Sequence, residues 1–254
     1  MASTERARRV TFGEDAIERL AGHDRTATLA PMGSESESVP NHEGGRHVDG
    51  AIAEPILELL RVSGEPVKLS REPISDDILR ICLDAAAMGH HTEPRYEFVV
   101  VRDAYRKHQL ARIYRQGWSV YRRIVARGGS SLEARQWEAD HFEDVPVVVV
   151  GCAKGLRPIL PAIGEARYYA SVLPPMHNLM LAARSLGLSA SMSTLAVWSG
   201  WQARRTLDLP VRMTPAAVVT LGWPRDGLVN APQRRGTDFA VLDHHGTPFP
   251  VAPK

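Results

Sequence analysis

One continuous run of β-branched residues constrains the fold of this chain more than any other feature. The segment Val145 to Cys152 reads VPVVVVGC, with no alternation of apolar and polar residues. A strand with one face in water alternates, whereas a continuous apolar strand is covered on both faces. The sequence therefore predicts a central strand in a sheet that is flanked by helices.

Helical patterns alternate with short apolar runs around that strand. Ser75 has the character of an N-cap, because Asp76 and Asp77 follow it and apolar residues then recur at helical spacing. A long helix is predicted from Asp103, which can cap it, to about Ala126. The pattern also predicts helices at Pro55–Arg61 and Leu132–His141, and strands at Glu97–Arg102, Ser189–Leu195, Ala217–Trp223 and Phe239–Leu242.

A further helix, from Ser171 to Leu186, is apolar nearly all round. Such a helix belongs in a core or an interface rather than on a surface. Gly187 follows it, as expected of a glycine that ends a helix.

Composition indicates one globular domain preceded by a tail. Residues 22–50 are rich in Ser, Glu, Gly, Pro and His, and such a segment buries too little surface to offset its ordering entropy. We therefore expect a flexible tail over residues 1–50 and a folded domain over residues 51–254. No apolar run is long enough for a membrane span, and the net charge of +2 does not favour nucleic acid as a partner. Because the chain has only two cysteines, a disulfide framework is not expected. We therefore expect a cytoplasmic location.

Several common catalytic signatures are absent from the sequence. There is no G-x-G-x-x-G after a strand, no P-loop, no H-E-x-x-H, no C-x-x-C and no G-x-S-x-G. The usual sequence indications of a Rossmann dinucleotide site, a kinase, a zinc enzyme or a serine hydrolase are therefore missing.

Four stretches of the chain match one known family in the same order. They are EPISDDILRICLDAA (Glu72 to Ala86), YEFVVVRD (Tyr96 to Asp103), the apolar helix with its following strand (Ser171 to Leu195), and the C-terminal stretch Ala217 to Gly246. Together they resemble the flavin-dependent nitroreductase family. The resemblance implies an α+β fold with a central mixed β-sheet flanked by helices. It also implies that the long apolar helix lies at a homodimer interface.

The resemblance further implies an oxidoreductase that binds FMN between its two subunits, takes electrons from NAD(P)H and acts on a small molecule. Arg234 and Arg235 match the C-terminal arginines that bind the flavin phosphate. Arg61 lies close to the family's N-terminal arginine pair, and Arg95 lies in its flavin loop. The segment that packs beside the flavin ring matches Ser191, Met192, Ser193 and Thr194. The alternative roles are a solvated turn for the two C-terminal arginines and an ordinary strand end for residues 191–194.

The sequence departs from the family at two places. The N-terminal arginine pair aligns with Ser63 and Gly64, which cannot replace the charge-assisted contacts of arginine to phosphate. In the flavin loop, three polar residues of the family align with Gly89, Thr92 and Pro94.

The same loop carries His90, His91 and Glu93, which are candidates for acid–base catalysis because histidine titrates near neutral pH. The two histidines could instead cap backbone groups of the loop. A metal site would need further ligands, so none is predicted.

Three functions remain open from the sequence. The first is an FMN-dependent oxidoreductase with a divergent phosphate site. The second is a flavin-free member of the fold that carries out an elimination, cyclisation or isomerisation of a small molecule. The third is a non-catalytic protein that binds or stores flavin.

Overall fold

Four antiparallel strands form the centre of the molecule, in the order β1-β2-β4-β3. The computed structural model describes residues 50–62, 64–88, 95–124, 130–155, 169–231, 236–245 and 247. The strands are β1 (Tyr96–Val101), β2 (Val147–Lys154), β3 (Ser189–Ser193) and β4 (Met213–Gly222). Every pairing among these strands is antiparallel, which differs from the mixed sheet expected. Between β1 and β2 the chain forms two successive α-helices. Strand β2 then runs in the opposite direction to β1.

Six α-helices lie wholly within the described parts of the chain. They are α1 (Gly50–Arg61), α2 (Asp76–Ala87), α3 (Ala104–Ile124), α4 (Ser130–His141), α5 (Leu173–Ser185) and α6 (Gly200–Thr206). Two of their caps confirm the sequence prediction. Ser75 Oγ accepts a hydrogen bond from the backbone N–H of Ile78 (3.3 Å), and Asp103 Oδ1 accepts one from Arg106 N (2.8 Å). A short polar side chain that satisfies a free N–H group stabilises the start of each helix.

The continuous apolar run of β2 is explained by two cores, one on each face of the sheet. Val148 and Val150 join the core beneath α3 and α4, whereas Val147 and Val149 join the core beneath α2 and α5. Successive side chains of a strand point to opposite faces, so both sets must be apolar. The predicted central strand is therefore confirmed.

Strand β4 begins earlier than the sequence indicated, at Met213 rather than at Ala217. Pro215 lies within it, opposite Cys152, and the register between β2 and β4 shifts between Gly151 and Cys152. A proline has no N–H to donate and is tolerated in a sheet at such irregularities. The proline therefore concealed the first part of this strand.

Helix α5 is buried on one side only. Met176, Leu179 and Ala183 are buried, but Leu173 is 41% exposed and His177 is exposed as well. The all-round apolar pattern predicted a helix in a core or interface, and in the single chain only the inner side of α5 is covered.

The strand predicted at Phe239–Leu242 is wrong. A short 3-10 helix occupies Gly236–Phe239, and Phe239, Val241 and Leu242 are all exposed. The described residues here therefore form a short helix and an exposed turn, with no run of strand residues. The predicted tail, residues 1–50, lies outside the described residues except for Gly50, where α1 begins. None of the described helices is both long enough and apolar enough to cross a membrane.

Candidate functional site

Two segments that are distant in sequence, residues 61–70 and 224–231, lie side by side beyond the end of β4. They are joined by two antiparallel bridges and two backbone hydrogen bonds: Val62–Asn230, Leu69–Pro224, Ala231 N to Arg61 O (2.7 Å) and Arg225 N to Lys68 O (2.9 Å). These are the segments in and beside which the resemblance places the phosphate-binding arginines. The pairing forms one corner of the molecule, which we call the arginine corner.

Arg61 is the last residue of α1 and stands at this corner. Its side chain is 43% exposed, and Nη1 lies 3.4 Å from Oε1 of Glu58, one turn earlier in the same helix. Such an exposed ion pair contributes little to stability. Arg234 and Arg235 lie outside the described residues.

Arg184, which the sequence analysis did not identify, is a second described arginine at the corner. It lies in the last turn of α5, its side chain is buried, and its guanidinium packs against Gly64. A single arginine within an apolar helix carries no sequence signal for this contact, because residues 64 and 184 meet only in the folded chain.

The predicted ring-binding residues 191–194 lie at the end of β3 and in the turn after it. Ser191 and Ser193 are buried, and Ser193 Oγ accepts a hydrogen bond from Leu195 N (3.1 Å). Met192 is partly buried and Thr194 is exposed. Of these four side chains, therefore, only those of Met192 and Thr194 are open to a ligand.

A buried polar network supports this turn from below. Glu138 of α4 is 2% exposed and accepts hydrogen bonds from Tyr114 Oη (2.5 Å) and Thr220 Oγ1 (2.9 Å). Arg135 lies 3.2 Å from the same carboxylate and reaches the carbonyl oxygen of Met192 at 3.5 Å. Burial and the nearby carboxylate of Glu138 raise the pKa of Tyr114, so its hydroxyl keeps its proton.

Sequence reasoning missed this network. The spacing of Arg135 and Glu138, three residues apart on a helix, indicates a pair but not its burial. Helix α4 otherwise appears as a polar surface helix in the sequence.

Arg95 lies at the opposite edge of the sheet from residues 191–194. It precedes β1, and its carbonyl oxygen accepts a hydrogen bond from Lys154 N (2.8 Å). Because β1 and β3 are the two edge strands, three strand spacings, roughly 14 Å, separate them. His90, His91 and Glu93 precede Arg95 in the chain and lie outside the described residues. Within one chain, Arg95 therefore lies across the described sheet from residues 191–194.

Neither cysteine has the environment of a nucleophile. Burial raises the pKa of Cys82 to about 11 and that of Cys152 to about 12, so both are thiols at neutral pH. In the described parts of the chain, no group of three His, Cys, Asp or Glu side chains could hold a metal ion.

Two clefts open between helices. One, of about 740 Å³, lies between α3 and α4, with Trp118 and Trp137 in its wall. The other, of about 460 Å³, lies between α3 and α6 and is polar. Neither is lined by the described residues that were predicted to bind a cofactor. The candidate site residues that the structure describes therefore lie outside these two clefts.

Comparison with known proteins agrees with the architecture. The sequence model of the Nitroreductase family matches residues 68–223. This chain therefore belongs to the nitroreductase family, and an oxidoreductase of that family is the class of enzyme that the comparisons support.

Solved structures share the fold at low sequence identity. An iodotyrosine deiodinase bound to FMN and 3-iodo-L-tyrosine superposes with a TM-score of 0.58 at 16% identity, over 76% of this chain and 99% of the deiodinase. An NADPH:FMN oxidoreductase from Vibrio harveyi, complexed with NAD+, has a TM-score of 0.58 at 15% identity, over 75% and 77% of the two chains. Nitroreductase A from Vibrio parahaemolyticus has a TM-score of 0.58 at 16% identity, over 75% of each chain. At these sequence identities, the likeness shows a shared fold and nothing further.

Proposed function

We propose that this protein is an FMN-dependent oxidoreductase that acts as a homodimer, takes electrons from NAD(P)H and reduces a small molecule, in the cytoplasm. The observation that carries the proposal is the arginine corner, which stands at one end of β3 while Thr194 stands at the other. Ala190, which contacts Arg184, and Thr194 are four residues apart, about 13 Å along an extended chain.

An elongated cofactor with one anionic end suits this arrangement. The phosphate of FMN would lie at the corner, near Arg61, Arg234 and Arg235, where charge-assisted hydrogen bonds hold it. The flavin ring would lie beside Met192 and Thr194, whose backbone is held from below by Arg135. When bound, FMN supplies the electron-transfer chemistry, and the protein positions the ring and substrate.

The separation between Arg95 and Thr194 supports a homodimer. Because the two residues belong to opposite edges of one sheet, a second copy is needed to bring an Arg95 to the Thr194 of the first. Exposed apolar side chains on α1 also favour a partner, namely Ile56 (54% exposed), Leu57 (49%) and Leu60 (49%). In the dimer, His90, His91, Glu93 and Arg95 of one subunit would then face the flavin of the other. A histidine there can give a proton to the reduced substrate near neutral pH.

The visible absorbance spectrum of the purified protein tests the proposal directly. It is recorded as isolated, and again after incubation with excess FMN and desalting, and the oligomeric state is measured by light scattering on the same sample. We expect a dimer that retains FMN and oxidises NAD(P)H when an acceptor is present. A protein that stays colourless after incubation contradicts flavin dependence.

Arginine variants locate the phosphate site. Arg234→Ala and Arg235→Ala should each weaken FMN retention, because a hydrogen bond to a charged group contributes roughly 1.5–3 kcal/mol. Arg212→Ala is the matched control, since Arg212 is exposed just before β4 and should leave retention unchanged. If all three variants retained FMN equally well, the two C-terminal arginines would not be part of the phosphate site.

The sequence departures at Gly89, Thr92 and Pro94 favour a second function, flavin-free chemistry on a small molecule. That function predicts a colourless dimer whose turnover is abolished by His90→Ala or His91→Ala. A non-catalytic flavin protein would instead be yellow, with a flavin that NAD(P)H bleaches slowly or not at all. The spectrum and the NAD(P)H reaction together separate the three.

A further inference from the structure

Arg184 is a buried cation that lacks an anion among the described residues. Arg184 is 5% exposed, and no described carboxylate forms an ion pair with its guanidinium. Nη2 donates one hydrogen bond, to the carbonyl oxygen of Ala190 (3.2 Å), and the Nε–H group is buried without a partner. Burial lowers the pKa of the guanidinium, but an arginine side chain keeps its proton in proteins.

A cation in this state is costly unless it is compensated. The last turn of α5 offers the negative end of a helix dipole, and the Ala190 carbonyl adds one acceptor. Neither satisfies Nε, and a buried unpaired charge is strongly unfavourable. The side chain therefore keeps a charge and an unsatisfied N–H donor, and an anion beside it would satisfy both.

Gly64 lies directly beside this guanidinium. A Cβ atom at residue 64 would lie 2.8 Å from Nη2 of Arg184, too close for the two to coexist without movement. The guanidinium thus fills the space that a side chain at position 64 would enter. This is one of the two positions at which the N-terminal arginine pair of the family is replaced, so a positive charge is kept there, supplied from α5.

The surrounding chain places this guanidinium at the arginine corner. Gly64 is two residues after Val62, which bridges Asn230, and the Ala190 carbonyl belongs to the β3 edge described above. We propose that Arg184 binds the phosphate of the flavin, in place of the arginines missing at positions 63 and 64. The inference rests on the proposed function, because the phosphate is that of FMN.

Comparing FMN with riboflavin, which lacks the phosphate, isolates this contact. Affinities are measured by quenching of flavin fluorescence, with the full-length protein. We expect the wild type to bind FMN at least tenfold more tightly than riboflavin. Arg184→Met should weaken FMN binding about 10- to 100-fold and leave riboflavin binding unchanged, as expected for the loss of a charged hydrogen bond.

Arg204→Met is the matched control. Arg204 also carries a buried Nε without a partner, but it belongs to α6, away from the corner. Its replacement should change neither affinity. Gly64→Ala provides a second test from the other side of the contact, since the added methyl group must displace the guanidinium and should weaken FMN selectively.

The outcomes separate this inference from the proposed function. If the wild type binds neither flavin, the proposed function fails and the inference fails with it. If Arg184→Met leaves the FMN affinity unchanged, or weakens FMN and riboflavin equally, the inference alone is overturned. Should Arg184→Met fail to fold, the Gly64→Ala variant still decides the question: an unchanged ratio of FMN to riboflavin affinity in that variant would overturn the inference.

Discussion

The hydroxyl of Tyr114 donates a 2.5 Å hydrogen bond to Oε2 of Glu138, and both side chains are buried. Thr220 and Arg135 contact the same carboxylate, so one side chain joins α3, α4 and the sheet. Arg135 continues the connection to the carbonyl of Met192, beside the candidate flavin site. The polar network therefore links the stability of the fold to the position of the β3 turn.

Replacing Tyr114 by phenylalanine should lower the free energy of unfolding by about 1–3 kcal/mol. The change removes one donor from a buried carboxylate while keeping the ring, and an unsatisfied buried polar group costs that much. Urea denaturation measures the difference. Tyr105→Phe on the same helix is the control, because Tyr105 is 70% exposed and its replacement should be neutral. Equal stabilities for the two variants would contradict the network.

Replacing Glu138 by alanine should be more damaging, by about 3–5 kcal/mol, because it leaves the largely buried Arg135 without its counter-ion. Glu133→Ala, an exposed position on the same helix, should change stability by less than about 0.5 kcal/mol. If the double variant Arg135→Ala/Glu138→Ala is as unstable as the sum of its single variants, the two residues are not coupled.

Gly151→Ala should destabilise the protein by about 1–3 kcal/mol through overpacking. A Cβ there would overlap Met176 Sδ and lie 2.8 Å from Cγ1 of Val172, so α5 would have to move away from β2. Gly200→Ala is the control, since a Cβ at position 200 meets nothing within 4 Å. Thermal melting of both variants tests the prediction, and equal melting temperatures would show that α5 does not pack closely on Gly151.

Stability should fall as the pH rises above about 9. The unfolded thiols ionise near their ordinary pKa of 9.0, while burial holds the pKa of Cys82 at about 11 and that of Cys152 at about 12. Over that window the unfolded chain loses protons that the folded chain keeps. Each thiol then lowers the free energy of unfolding by up to about 1.4 kcal/mol per pH unit.

Urea denaturation at pH 8, 9, 10 and 11 measures this decline. Cys152→Ala should reduce the slope above pH 9, although the smaller side chain also lowers stability at every pH. If the stability of Cys152→Ala fell with pH as steeply as that of the wild type, the raised pKa of Cys152 would be contradicted. Below pH 9 the thiol contribution should be constant.

The elements that depend on local pattern could be predicted from the sequence. The unbroken run of valines in β2 indicated a strand between two cores, and the polar residues Ser75 and Asp103 marked the starts of α2 and α3. The prediction at Phe239–Leu242 was wrong because a short apolar run specifies a strand only where another strand lies beside it. Ser191 and Ser193, which the resemblance places beside the flavin ring, are buried in the single chain, and the sequence did not indicate this because alternation does not reveal which face of an edge strand is covered.

By itself, then, the sequence determined most of the helices and strands and the family, because hydrophobic periodicity and capping act over a few neighbouring residues. The tertiary structure alone decided which distant residues meet. Arg184 and Gly64 are 120 positions apart, and neither has a pattern that points to the other. Their contact arises because α5 packs on the sheet and the segment after α1 pairs with the C-terminal stretch, and this packing leaves a buried arginine beside a residue with no side chain.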